Sequence, residues 1–155
     1  MEIYQILNEL NIHYEEITHP PVYTIEEALK ADIPNKIKGT ECKNLFVKGK
    51  KGYYLILIEA SKRTDLKGLA HFMKESKLTF ASEEELKNIL HLNMGSVTPL
   101  GIIYDKENIV TLLLDHELKN QKILVHPNTN TKTISLDYND LIKMIKETNH
   151  TYYTF

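Results

Sequence analysis

Two runs rich in apolar, β-branched and aromatic residues, 42–48 and 53–60, stand four residues apart, and those four are Gly49-Lys50-Lys51-Gly52. Runs of this composition fit a pleated, half-buried surface, and a short glycine-bounded turn between them predicts a hairpin. Helical and strand signals flank it on both sides. Ile3, Ile6, Leu7 and Leu10 recur at helical spacing, and residues 13–18 read as a short strand leading into His19-Pro20-Pro21. Thr24 with Glu27 three positions on is a capping-box pattern for a second helix, running to about Ala31 and stopped before Pro34. Residues 36–41 then read as a polar connector.

Beyond the hairpin, Leu66, Leu69, Ala70 and Met73 suit a helix, residues 78–81 a short strand, and Ser82 with Glu85 a second capping box for a helix ending near His91. A loop at 93–99 precedes two more expected hairpins. One pairs 101–104 with 109–114 across Asp105-Lys106-Glu107-Asn108; the other pairs 122–126 with 131–135 across Pro127-Asn128-Thr129-Asn130. Asp137 is placed to cap a closing helix with Leu141, Ile142 and Ile145 inward, before a tail ending Tyr152-Tyr153-Thr154-Phe155. Helices interleaved with hairpins predict an α+β fold with a mixed, mostly antiparallel, barrel-like sheet flanked by helices.

At 155 residues and 42% hydrophobic content the chain can bury one sizeable core but hardly two, so a single domain over 1–155 is expected. No stretch approaches the roughly 20 apolar residues that span a bilayer, and the opening MEIYQILNEL carries acids where a signal peptide carries a basic region and an apolar core. A cytoplasmic protein without a membrane partner is expected. Cys42 is the sole cysteine, which excludes an internal disulfide and a Cys-based zinc site, and the seven histidines show no ligand spacing. Neither a metal nor another cofactor is expected.

A net charge of -2 does not fit a domain held on nucleic acid by bulk electrostatics. The distribution is uneven, however: Lys36, Lys38, Lys43, Lys48, Lys50 and Lys51 crowd one segment, followed by Lys62, Arg63 and Lys67. Such a run forms either a solvated face or a local grip on phosphate.

Three segments carry groups with chemical potential. Lys43 opens an otherwise apolar strand, where it either snorkels to water or points inward and must then meet an anion. In 93–99, Gly95 and Pro99 can hold a loop whose backbone N–H groups face a ligand oxygen, although both are also ordinary loop residues. His126 ends a strand and precedes a turn rich in hydroxyl and amide groups, suited to orienting a substrate or to a structural hydrogen bond. Cys42 with a histidine is the pattern of a thiol hydrolase. Strand alternation sends Cys42 and Lys43 to opposite faces, which predicts that at most one of them lines a given cavity.

Four stretches, taken in order, resemble a known family: His19-Pro20-Pro21-Val22-Tyr23-Thr24, Lys38-Gly39-Thr40 through Lys43-Asn44-Leu45-Phe46, Gly95-Ser96-Val97-Thr98-Pro99, and His126-Pro127-Asn128-Thr129-Asn130-Thr131. Each is weak singly, but their joint order and spacing resemble the YbaK and prolyl-tRNA synthetase insertion-domain superfamily of editing enzymes, and within it the single-domain alanyl-tRNA(Pro) deacylase branch, ProXp-ala. The resemblance implies that Lys43 lies near the 3′-terminal adenosine and its phosphate, that the backbone of the loop from Gly95 to Pro99 binds the aminoacyl group, and that His126 shapes the pocket. Val22, Tyr23, Asn44, Ser96, Val97, Thr98, Pro99 and Asn128 become expected substrate contacts, and Lys38, Lys48 and Arg63 expected tRNA contacts.

The implied partners are the acceptor end of misacylated tRNA(Pro) and, as docking partners, prolyl-tRNA synthetase or an elongation factor. The implied reaction uses no metal and no covalent enzyme intermediate: the 2′-hydroxyl of the terminal adenosine helps water attack the 3′ ester. Two other readings stay open beside alanyl-ester hydrolysis. One is a deacylase for another small residue, such as cysteine on tRNA(Pro); the other is a tRNA-binding module without catalysis.

Overall fold

A computed structural model describes residues 2–155. Helix α1 (Glu2–Glu9) buries Ile3 and Leu7, one turn apart on its inner face, and leads into strand β1 (Glu15–Thr18). Thr24 accepts the Glu27 N–H at 3.0 Å and so caps α2 (Ile25–Lys30). A one-turn helix, α3 (Ile33–Lys36), follows it. The expected connector is therefore shorter, because Asp32 takes a left-handed conformation (φ 61°) that turns the chain into a second helical start.

Strands β2 (Cys42–Lys48) and β3 (Tyr53–Glu59) form the expected hairpin, with Cys42 opposite Glu59 and Lys48 opposite Tyr53. After α4 (Leu66–Phe72), Glu75 reaches back to the hairpin turn, accepting the Lys50 and Lys51 N–H groups and the Tyr54 hydroxyl. Strand β4 (Thr79–Phe80) and helix α5 (Glu83–Leu90) come next, and the Ser82–Glu85 capping box is formed in both directions.

The next expected hairpin is replaced. Pro99–Tyr104 winds as a 3-10 turn, started by Thr98, which accepts the Leu100 N–H. Leu100, Ile102 and Ile103 are all buried, so the segment is apolar on every side and lacks the solvent face a strand there would keep. Strand β5 (Val110–Leu114) thus has no hairpin partner. Strands β6 (Lys122–Val125) and β7 (Lys132–Asp137) pair antiparallel as expected, and α6 (Tyr138–Glu147) buries Leu141, Met144 and Ile145 while Ile142 is half-buried. Asp137 holds the N-cap position without a side-chain hydrogen bond. The expected tail contains a last strand, β8 (Tyr152–Thr154).

The strands form two open sheets, ordered β1-β7-β6 and β4-β2-β3-β5-β8. Among the described residues four of the six pairings are antiparallel, whereas β5 runs parallel to both β3 and β8. No closed barrel forms among the described residues. The two sheets meet at Thr40, whose N–H donates to the Lys122 carbonyl (2.8 Å) and whose carbonyl accepts from Leu124 (3.0 Å). Alternation along β2 and β3 divides the apolar interior. Cys42, Phe46, Leu55 and Leu57 pack on one side, and Val47, Tyr54, Ile56 and Ile58 pack under Leu69 and Ala70 of α4 on the other. Leu55, Ile56 and Leu57 are fully buried, each contributing about 1.5–3 kcal/mol by removal from water. A smaller cluster of Val22, Ala28, Ile33, Ile37 and Leu124 fastens α2 and α3 onto β6. Among the described residues, no helix is long and apolar enough to cross a membrane.

Candidate active site

A cavity of about 300 Å³ is bounded by the start of β2, the end of β6 with His126, the first turn before α2, and the loop after α5. Val22, Tyr23, Lys43, Asn44, Gly95, Val97 and His126 all line it. Residues more than a hundred positions apart, Val22 and His126 among them, are thereby brought together. Ser96, Thr98, Pro99 and Asn128 are not among the lining residues, and neither are Lys38, Lys48 and Arg63.

The residues outside the lining differ in what they do. Thr98 is fully buried, and its hydroxyl donates to the His126 carbonyl at 2.6 Å, tying the 94–98 loop to the end of β6. Ser96 and Pro99 are buried within the same loop. Asn128 sits left-handed (φ 60°) in the β6–β7 turn, which explains its presence there. Lys38 and Arg63 are exposed, and Lys48 stands five residues along β2 from Lys43, paired with Glu85 at 2.8 Å.

Lys43 is half-buried, and its ammonium donates to the carbonyl of Lys62 in the turn after β3. That turn is itself anchored. Lys62 pairs with buried Asp115 at 2.8 Å and with Glu117 at 3.1 Å, and Asp115 also accepts the N–H groups of Glu59 and Glu117. Burial pushes the Asp115 carboxyl up, but the hydrogen bonds from Lys62, Glu59 and Glu117 outweigh it and hold the group below the usual range. The lysine thus rests on a fixed carbonyl beside the cavity, within the reach of a rotamer change.

His126 is oriented by its Nδ1, 3.0 Å from the Lys132 carbonyl. A carbonyl only accepts, so Nδ1 carries the proton and Nε2 keeps its lone pair. Burial, aided by the nearby His19 ring and opposed by the Lys132 hydrogen bond, lowers the His126 pKa below its ordinary value. The imidazole is therefore neutral at pH 7. His19 is locked in the same way, with Nδ1 donating to the Pro20 carbonyl (2.8 Å) and Nε2 accepting from the Thr133 hydroxyl (2.8 Å), its ring centroid 6.3 Å from that of His126.

Gly95 lies under the Tyr23 ring: a Cβ there would stand 2.3 Å from Tyr23 Cδ1 and 3.1 Å from the Asn130 amide nitrogen. Tyr23 is 67% exposed and can swing away, so the contact sets the shape of the cavity mouth more than the stability of the fold. Gly95→Ala is accordingly expected to displace Tyr23 and to cut ester hydrolysis about tenfold, with a Tm change under about 2 °C. Kinetics and a thermal melt on the same preparation check this; unchanged kcat/KM would show that the mouth tolerates a side chain.

Cys42 and Lys43 both line the cavity, contrary to expectation. Alternation itself holds, since Cys42 packs with Phe46 on one face and Leu45 with Val47 on the other. The cavity, however, lies at the edge of β2, where β4 pairs only Val47 and Lys48 and leaves the start of the strand open to both faces. Burial pushes the Cys42 thiol up to about 12, with the charges of Glu41 and Glu59 adding to it, and Sγ donates to the Thr40 carbonyl at 3.4 Å. A thiol held protonated is a poor nucleophile. Iodoacetamide at pH 7.5 is expected to leave the intact mass and the hydrolytic rate unchanged; rapid alkylation with loss of activity would revive a thiol mechanism.

Glu41, Leu124 and Thr133 also line the cavity and did not stand out in the sequence. Glu41 precedes the apolar strand and shares strand parity with Lys43, which is the signal that could have marked it. Burial raises its pKa.

Residues 19–144 match the family described as the aminoacyl-tRNA editing domain. The prolyl-tRNA editing protein ProX of Acetoanaerobium sticklandii is 40% identical over 149 residues, covering 94% of this chain and 90% of the relative. Prolyl-tRNA synthetase associated domain-containing protein 1 of Danio rerio is 34% identical over 154 residues, covering 97% and 83% respectively. Among solved structures, one whose own description proposes a trans-editing enzyme for prolyl tRNA synthetase superposes with a TM-score of 0.73 at 22% identity, covering 99% of this chain and 94% of the other, and so shares the fold. On the match across residues 19–144 and the identity of these relatives, the chain belongs to the aminoacyl-tRNA editing domain family.

Proposed function

We propose that this chain is a trans-editing hydrolase that deacylates alanyl-tRNA(Pro), cleaving the 3′ ester with help from the 2′-hydroxyl of the terminal adenosine. The observation that carries the reading is the convergence of Lys43, Asn44, Gly95, Val97 and His126 on one cavity in a chain of the editing family. Lys43 would exchange its Lys62 carbonyl for the phosphate of the terminal nucleotide, a charge-assisted contact stronger than the neutral one it replaces. The loop at 94–98, tied to His126 through Thr98, would supply fixed backbone donors to the ester carbonyl as it gains charge. Val22, Ala28, Ile33 and Leu124 form an apolar part of the lining suited to a methyl group.

The need for such an enzyme follows from the energetics of selection. A synthetase pocket shaped for proline cannot exclude the smaller alanine, since a missing methylene or two is worth only about 1–3 kcal/mol of discrimination. A second, smaller pocket can do the reverse and refuse proline by size. A single well-placed lysine with a short acceptor-end contact also fits a nearly neutral protein, which lacks the charge to hold a whole tRNA.

Deacylation of tRNA(Pro) carrying alanine, cysteine or proline, in the presence of EDTA, tests the proposal. Rapid loss of alanine with proline spared is the expected result. Preferential loss of cysteine would move the substrate within the family, and equal loss of alanine and proline would end the size argument.

A further inference from the structure

Two oxygen atoms among the residues lining the cavity are buried without a hydrogen-bond donor among the described residues: Oε1 of Glu41 and Oδ1 of Asn44. Buried acceptors are almost always satisfied, and leaving one unmatched is costly, so a pair at one cavity marks a place built for donors. The cation nearest in sequence does not serve them, because the Lys43 ammonium is engaged by the Lys62 carbonyl. Cys42, between them, gives its S–H to the Thr40 carbonyl. Burial of the Glu41 carboxyl, which disfavours its charged form in the free protein, is the condition that a cationic ligand relieves.

We propose that Glu41 and Asn44 form a subsite for the α-ammonium of the aminoacyl ester. This rests on the deacylase reading above and adds the group by which the acyl end is recognised. An alanyl ester has a carbonyl that accepts, a methyl that does neither, and one cationic group, the α-ammonium, with three N–H donors. A carboxylate and an amide oxygen match that group in charge and in hydrogen-bond sense. The hydroxyl of a 2-hydroxy acid offers one donor and no charge, and an N-acylated residue loses the charge altogether. The subsite therefore selects esters with a free amino group, complementing the apolar lining that selects a small side chain.

The test compares alanyl-tRNA(Pro) with lactyl-tRNA(Pro), in which a hydroxyl replaces the ammonium with little change of size, on the wild type and on Glu41→Gln. Each rate is divided by the uncatalysed hydrolysis of the same ester. The wild type is expected to favour the alanyl ester by about 10- to 100-fold in kcat/KM, the scale of a charged hydrogen bond made to a buried partner. Glu41→Gln is expected to lose a comparable factor on the alanyl ester and to act on the lactyl ester within about threefold of wild type, so that the two changes are coupled. Equal use of both esters by the wild type, which needs no variant, overturns the subsite while leaving the deacylase in place. An equal loss on both esters in Glu41→Gln also overturns it and makes the residue a positioning group for the strand. Failure of the wild type to cleave alanyl-tRNA(Pro) at all overturns the function on which the subsite depends.

Discussion

Lys43→Ala is expected to lower kcat/KM for alanyl-tRNA(Pro) by about 100- to 1,000-fold, the loss typical of one preorganised donor at a developing or resident anion. The fold should barely register the change. In the free protein the Lys43 ammonium donates to the Lys62 carbonyl from a half-buried position at the start of β2. Losing a bond of that kind costs about 1 kcal/mol, or roughly 2–4 °C in Tm for a chain of this size. The turn that holds the carbonyl is secured separately by Lys62, Asp115 and Glu117 and stays in place. Activity and stability thus part company by two orders of magnitude. Lys43→Arg should recover little, because a planar fork cannot take the place of a compact ammonium beside the narrow start of β2. A folded Lys43→Ala protein that turns over near the wild-type rate would remove the lysine from the mechanism and with it the main support for a phosphate grip.

Local signals in the sequence are reproduced where they depend on neighbours a few residues away. The Thr24 and Ser82 caps both form, and so does the hairpin around Gly49 and Gly52, because capping and turn closure are satisfied within one or two turns of chain. The failures are non-local. Nothing within residues 101–114 tells that β5 will pair in parallel with β3 and β8, partners 57 and 40 residues away, and the all-apolar 99–104 segment reads equally as strand or as buried turn. Closure into a barrel is likewise a property of the whole sheet, and the chain stops at two open sheets joined at Thr40.

The candidate site shows the same division. Lys43, Gly95 and His126 are marked by family motifs and do meet at one cavity. Thr98 belongs to the motif yet is bonded to the His126 carbonyl instead of lining the cavity, a distinction set by a 2.6 Å contact that residue type cannot announce. Glu41 was hidden for the opposite reason. A carboxylate in a polar connector reads as solvated until the neighbouring sheet buries its oxygen.

A substrate ending in 2′-deoxyadenosine is expected to bind within about threefold of the ribose form and to hydrolyse at least about 100-fold more slowly, the scale of a lost general-acid–base contribution. The outcome depends on which group activates water. Lys43, as an ammonium donor, offers no lone pair. His126 is the protein's rival, since its Nδ1 proton is committed to the Lys132 carbonyl and Nε2 is left as an acceptor on a ring that burial keeps neutral at pH 7. If His126 were the base, the rate would rise with pH through its lowered pKa, below the usual 6.5, and level off above it, because only the neutral ring accepts a proton. His126→Ala would then erase that limb, and the deoxy substrate would be cleaved at full speed. If the 2′-hydroxyl activates the water, His126→Ala weakens turnover without reshaping the profile, and binding and chemistry separate in the deoxy substrate. Single-turnover rates with both substrates from pH 5 to 8, beside a binding measurement for each, distinguish the two. Full-speed cleavage of the deoxy ester would transfer the base from the tRNA to the imidazole.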